Sequence, residues 1–374
     1  MVDAVNKFLT VLVKFFVLIS FSVIVSCSFS NTAKPLPDAE TADTADTVAD
    51  TDDTFADTGD TVADTGDTVA DTGDTVADTG DTVADTGDTV ADTDDIPEEE
   101  KIKSVVIATY NTHLFFDKEC DSGSCSSSDF ESVPSDEEYD EKVRELAGSI
   151  KEIDADIILL QEIEKKSCLE DLFKKTGGYD DFYLGEKGYN ASVDTGVMTK
   201  GRIISGNRHT EKIDCSECEG GTTTFTRAFL ETHIELGGRE IIVFSAHFKS
   251  KNDDDAPRRL AEAAAAAKIL RETAKEHPEA LIVMGGDLND EPGSDTLEPF
   301  ESDETFLRVA GELSSKDQAT YSYHGEAVAL DHIFWVKTDF GSYEKGSAEV
   351  VKDAPSLYSL GSSDHAALKA TFGF

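Results

Sequence analysis

The stretch ALIVMGGDLNDEPGS, residues 280–294, opens as an apolar run and closes in turn formers, with Asp287 and Asn289 at the junction. A short apolar run bounded by glycine and turn residues reads as a buried strand. The same pattern recurs along the chain. SVVIATYN (104–111) ends at Asn111, ADIILLQE (155–162) at Glu162 and EIIVFSAH (240–247) at His247. VALDHIFW (328–335) places Asp331 inside a strand, and SSDH (362–365) sets Asp364 and His365 on a turn before a last strand over 366–372. Between these runs lie helical patterns. SDEEYDEKVRELAGSIKEI (135–153) has Ser135 and Glu138 in capping-box positions, followed by Tyr139, Val143, Leu146, Ala147 and Ile150 at helical spacing. APRRLAEAAAAAKILRETAKE (256–276) starts with a proline suited to a first turn. Strands alternating with helices predict an α/β domain. In such sheets ligands bind beyond strand ends, so the terminal polar residues are expected to converge on one site.

The first hundred residues are of another kind. Two lysines precede a short apolar run and the sequence VIVSCS. A basic segment, an apolar segment and small residues read as an export signal over residues 1–26, of the lipoprotein type with Cys27 as the lipidated residue, an uncleaved membrane anchor being the alternative. Residues 57–91 repeat DTGDTVA five times. Valine and alanine alone cannot build a coiled-coil seam, and the charge predicts a disordered, self-repelling stalk over 27–100. No calcium loop with a closing acidic ligand is visible in it. The domain of residues 101–374 should then stand outside the cytoplasm, tied to a membrane only by its lipid.

Residues 1–100 hold 3 Lys+Arg and 24 Asp+Glu, which leaves 30 basic and 53 acidic residues, net −23, in the domain. That balance excludes the broad basic footprint of a tight, non-specific nucleic-acid binder. A phosphate substrate would need local neutralisation by a metal and a few cations. Cys120 with Cys125, and Cys215 with Cys218, are spaced either for zinc or for two local disulfides, and export favours the disulfides. Cys168, in a helical pattern, reads as a buried small hydrophobe.

One chemistry unites the terminal polar residues. Hydrolysis of a phosphodiester needs a divalent cation on the phosphate oxygens, a base for the attacking water and donors for developing charge. Glu162, Asn111 and Asp364 offer oxygens to a hard cation such as magnesium. His365 held by Asp331 would make a base near neutral pH. No G-x-S-x-G elbow, P-loop or H-E-x-x-H is present.

YNTH, LLQEIE, SAHFKSK, GGDLNDEPGS, YSYHGEAVALDHIFW and SSDHAAL resemble, in order, the motifs of the endonuclease/exonuclease/phosphatase superfamily, whose fold is that of pancreatic deoxyribonuclease. The resemblance spans about 105–372 and is nearest to the secreted bacterial nucleases. It implies a four-layer α/β sandwich of two packed, mainly antiparallel β-sheets flanked by helices. It makes Glu162 the principal metal ligand with Asn111 and Asp364 nearby, and His365 the base oriented by Asp331. His247 would contact phosphate or protonate the leaving group, while Asp287 and Asn289 would position water or stabilise the transition state. Arg227 and Lys249 would touch phosphate. The cation is expected to be magnesium, with manganese or calcium as substitutes. The Tyr-Arg and Pro-Ala-Trp-Cys-Asp-Arg patterns of inositol polyphosphate phosphatases are missing, and the one tryptophan, Trp335, sits in a strand rather than on a membrane-inserting hairpin. The expected activity is that of a monomeric, surface-anchored nuclease on extracellular DNA or RNA, without a protein partner. The alternatives are a lipid or small-molecule phosphodiesterase or phosphatase and, in another class, a stalked binding module without turnover.

Overall fold

The computed structural model describes residues 101–374 except 127, 189, 190 and 253. The signal, Cys27 and repeat segment expected over 1–100 lie outside the described residues. Two large sheets face each other. The first contains β1 (Ser104–Phe115), β2 (Ile157–Ile163), β3 (Asp181–Leu184), β4 (Asp194–Thr199), β15 (Ser342–Tyr343), β16 (Glu349–Val351) and β17 (Ala367–Gly373). The second contains β5 (Arg202–His209), β8 (Phe229–Leu236), β9 (Arg239–His247), β10 (Leu281–Asp287), β11 (Phe306–Arg308) and β14 (Asp331–Val336). Two hairpins complete the strands, β6 (Lys212–Asp214) with β7 (Thr222–Thr224), and β12 (Tyr321–Tyr323) with β13 (Glu326–Val328). Pairing is mostly antiparallel, with parallel pairs β1–β2 and β9–β10 at the centres.

The apolar runs follow from burial on both faces. In β10, Leu281 and Val283 join the core between the sheets, while Ile282 and Met284 join the core beneath the Ala256–Glu276 helix. In β2, Ile157 and Leu159 face the other sheet, and Ile158 and Leu160 pack under the helices Asp136–Ile153 and Lys166–Thr176. Strands covered on both sides have no reason to alternate with polar residues. The result is the four-layer sandwich that the motifs implied. The Asp136–Ile153 helix carries its capping box, with the Ser135 Oγ accepting from the Glu138 N–H at 3.3 Å and the Glu138 carboxylate accepting from the Ser135 N–H at 2.8 Å. Among the described residues no helix is long and apolar enough to cross a membrane.

Strand ends differ from the expectations at three places. β1 continues past Asn111 to Phe115 through an irregularity, Asp331 is the first residue of β14 rather than an interior one, and the last strand is shifted by one residue. Cys120–Cys125 and Cys215–Cys218 are disulfide-bonded, and Cys168 is free and buried.

Glycines at 285 and 286 let β10 sit where it does. A Cβ on Gly286 would lie 1.9 Å from the Ala246 carbonyl oxygen of β9. Gly286→Ala is therefore expected to destabilise the fold by on the order of 2–3 kcal/mol, measured as the urea midpoint. Gly148, exposed within a helix and with open space around it, gives the opposite sign. Gly148→Ala should stabilise by roughly 0.5–1 kcal/mol.

Candidate active site

Inward-facing residues of the central strands form matching rows. Along β1 they run Val105, Ile107, Thr109, Asn111; along β10, Leu281, Val283, Gly285, Asp287; along β9, Ile241, Val243, Ser245, His247. The row before the edge is small or polar and internally bonded. Thr109 Oγ1 donates to Gln161 Oε1 at 3.2 Å, and Gln161 Nε2 donates to Ser245 Oγ at 3.2 Å. Asp287 pairs with His247 on one side and Asp331 on the other. Period-two alternation thus delivers Asn111, His247, Asp287 and Asp331 to one edge of the sandwich.

Glu162 breaks that rule. Gln161 already points inward, so an ideal pleat would turn Glu162 toward the helices. Register shifts flank it in both the β1–β2 and β2–β4 pairings, and its φ is +65°. Such bulges re-aim a side chain, and non-glycine residues in the left-handed region concentrate at functional sites. Glu162 Oε1 consequently accepts from Asn111 Nδ2 at 3.2 Å and lies 3.7 Å from His247 Nε2, while Oε2 accepts from the Leu114 N–H at 2.8 Å. Asn289 is also left-handed, at φ +54°, and binds back with its N–H to Asp287 Oδ1 at 2.8 Å and with Nδ2 to the Phe248 carbonyl at 3.1 Å. Asn111 Nδ2 also donates to Asp287 Oδ2 at 3.1 Å.

Asp331 Oδ2 and His365 Nδ1 are 2.7 Å apart and buried. The 362–365 turn is anchored twice, by the Ser363 Oγ donating to the Asn111 carbonyl at 2.7 Å and accepting from the His365 N–H at 3.0 Å. Tyr321 lies against the His365 ring at a centroid distance of 4.7 Å. The other nitrogen, His365 Nε2, is 3.9 Å from Asp287 Oδ2.

The electrostatics separate the two histidines. Burial pushes His365 down, but Asp331, Asp287 and Asp364 outweigh it and raise the ring to about 10. The three neighbouring carboxylates thus favour the protonated ring. His247 goes the other way: burial, with Arg227 and His365 nearby, lowers it well below the ordinary histidine value. It stays neutral, and among the described residues its Nδ1 has no hydrogen-bond partner. Asp287 is raised to about 7 by burial and by Asp331.

Asp364 stands at the rim, partly exposed and 3.7 Å from His113 Nδ1. Lys142 was not foreseen, because its helix position reads as an ordinary solvated face. It reaches the carbonyls of His113 at 2.9 Å and Ser362 at 2.8 Å; burial lowers it to about 8 despite Asp364 and Glu162. Glu262 is equally invisible in sequence. Fully buried, it binds the N–H groups of Thr226 and Lys249 and so fixes the segments bearing Arg227 and Lys249. Arg227 faces the site edge through the Phe248 carbonyl at 3.5 Å. The Lys249 ammonium instead caps the carbonyls of Ser250 and Asn252, and its described bonds do not reach the cluster.

Donor atoms of Glu162, His247 and Asp287 lie within 4.8 Å of one another, as do those of Asp287, Asp331 and His365, and among the described residues Asp331 Oδ1 has no hydrogen-bond partner. So many carboxylates with an orphaned oxygen suit a hard divalent cation.

Residues 106–355 match the model of the Endonuclease/Exonuclease/phosphatase family. The chain belongs to that family. It is accordingly a hydrolase of phosphoric ester bonds that works with a divalent metal ion. An endonuclease/exonuclease/phosphatase from Bacteroides vulgatus has a similar structure, at 17% identity and TM-score 0.53, over 73% of this chain and all of that one. TDP2 from C. elegans is similar at 17% identity and TM-score 0.50, over 72% of this chain and 75% of the other. A family protein from Beutenbergia cavernae DSM 12333 follows at 13% and 0.50, over 73% and 72%. At these identities the likeness shows the fold. No curated protein sequence matches the chain.

Removing the Asp331 charge should release His365. In metal-free Asp331→Asn the ring is expected to titrate well below about 10 and toward the ordinary histidine value, read from its NMR resonances against pH.

Proposed function

We propose that the protein is a nuclease cleaving DNA or RNA outside the cytoplasm, held at the cell envelope by a lipidated Cys27 and the repeat stalk. The observation that carries the catalytic half is the convergence of Glu162, Asn111, His247, Asp287 and the Asp331–His365 pair at one sheet edge. Glu162, with Asn111 and Asp364, would hold the cation, for which magnesium is the hard-ligand choice and manganese or calcium substitutes. When bound, the cation polarises the phosphoryl oxygens and offsets the carboxylate field that keeps His365 charged. His365 then takes the water proton at Nε2 while Asp331 fixes its Nδ1–H and orientation. His247, neutral and buried, is suited to hydrogen-bond a phosphoryl oxygen rather than to deliver a proton. Asp287 and Asn289 orient the water, and Arg227 and Lys142 supply local positive charge. Lys249 would have to give up its carbonyl contacts to take part.

The hairpin over 321–328 favours a nucleic acid over a lipid. Tyr321 lies on His365, and Tyr323, two residues along the same strand face, is 58% exposed beside His324. Aromatic rings next to a phosphodiester site stack bases. The neighbouring Ser322, His324 and Glu326 make a poor membrane wedge.

The chain and His365→Ala are to be incubated with plasmid DNA, RNA, sphingomyelin and inositol phosphates, with magnesium or manganese and with a chelator. The expected result is metal-dependent cleavage of nucleic acid, reduced roughly a hundredfold or more in the variant. Hydrolysis confined to the lipid or the inositol phosphates would select the alternative substrate class. Folded protein inert on all four would leave a binding module. Tyr323→Ala should raise KM for the polymer roughly tenfold and leave kcat nearly unchanged, as loss of a stacking contact does.

A further inference from the structure

A second cluster of ligating side chains lies at the other end of β9. Glu240 is seven residues before His247, about 23 Å along an extended strand. In β8, Glu231 and His233 continue the outward row that begins with Phe229; in β9, Glu240 begins the outward row of Ile242 and Phe244. The register pairs His233 with Ile242, which makes Glu240 its diagonal neighbour. His277 caps the C-terminal end of the Ala256–Glu276 helix, directly over these strands.

His277 Nδ1 is 3.4 Å and His233 Nδ1 is 3.7 Å from Glu240 Oε1, and the three donors all lie within 4.8 Å of one another. These separations are long for an N–H···O hydrogen bond, which prefers about 2.7–3.2 Å. They approach the donor–donor edge, about 3.4 Å, of a tetrahedron with the 2.0–2.2 Å bonds of zinc. The outer contacts prepare the ligands. His233 Nε2 is 2.8 Å from Glu231 Oε1, and a carboxylate only accepts, so that nitrogen carries the hydrogen and Nδ1 keeps its lone pair once the ring is neutral. The other Glu231 oxygen takes His209 Nε2 at 2.8 Å. A carboxylate behind a histidine is the usual support of a metal ligand. Glu240 is half exposed and His277 one-third exposed, which leaves a fourth position open to solvent.

We propose that His233, Glu240 and His277 bind a zinc-type transition-metal ion that pins the end of the long helix to the sheet. Two imidazoles and one carboxylate select such an ion over magnesium or calcium. The site is thus separated from the catalytic edge by chemistry as well as distance, and it stands whether or not the nuclease reading does.

The test uses the full chain, stripped with chelator and titrated with zinc in excess magnesium. Bound zinc is counted by elemental analysis, and thermal midpoints are taken in parallel. Wild type should retain one more equivalent than His277→Ala or Glu240→Gln, both partly exposed changes that folding should tolerate. Zinc should raise the midpoint of wild type and of His365→Ala, and the rise should vanish in His277→Ala. Magnesium-dependent hydrolysis by His277→Ala should equal wild type. Equal zinc content and equal midpoint rises in wild type, His277→Ala and Glu240→Gln would overturn the proposal. So would loss of the extra equivalent in His365→Ala alone.

Discussion

Everything at the candidate active site depends on the packing of two sheets whose inner rows stop being apolar at the same level. Leu159, Val243 and Val283 fill the space between the sheets with hydrocarbon. One step further, Gln161 and Ser245 meet instead, and each must find a partner because an unpaired buried polar group costs about 1–3 kcal/mol. Their mutual bonds allow polar residues to enter the sandwich at all. The next step outward, at Asn111, His247 and Asp287, is then close enough to solvent to meet a substrate and dry enough to strengthen every charge interaction.

That dryness concentrates negative charge. Asp287 and Asp331 are buried side by side, with Glu162 and Asp364 nearby. Nothing in the shell balances them fully: Lys142 is itself lowered by burial, and Arg227 is hydrogen-bonded to a carbonyl. His365 is raised to about 10 and Asp287 to about 7, so the crowded carboxylates favour bound protons. A divalent cation held by these carboxylates would compete with those protons, so its binding would be coupled to their release.

Much of the fold was legible because its strands are buried on both faces and therefore spell themselves as apolar runs. Asn111, His247 and Asp287 were legible for the same reason, since a polar residue closing such a run is conspicuous and period two fixes its face. Glu162 was legible as a residue but not as a geometry, since its direction comes from two bulges and a left-handed φ that composition does not encode. Lys142 and Glu262 lie in helices where a charged residue normally means a solvated face, and only the tertiary arrangement buries them. The electrostatic setting of His365 was legible only in part: the sequence pairs one carboxylate with it, while the folded chain brings three near it.

The acidic surface also takes on a different meaning once the site is seen. A domain with net charge −23 repels a polyanion at long range, and salt weakens that repulsion over roughly 8–10 Å. What the chain offers at short range is a few cations, Arg227 and Lys142 among them, and the exposed Tyr323. For a hydrolase, weak holding of the substrate favours release of product. Affinity spent equally on substrate and transition state would not raise kcat.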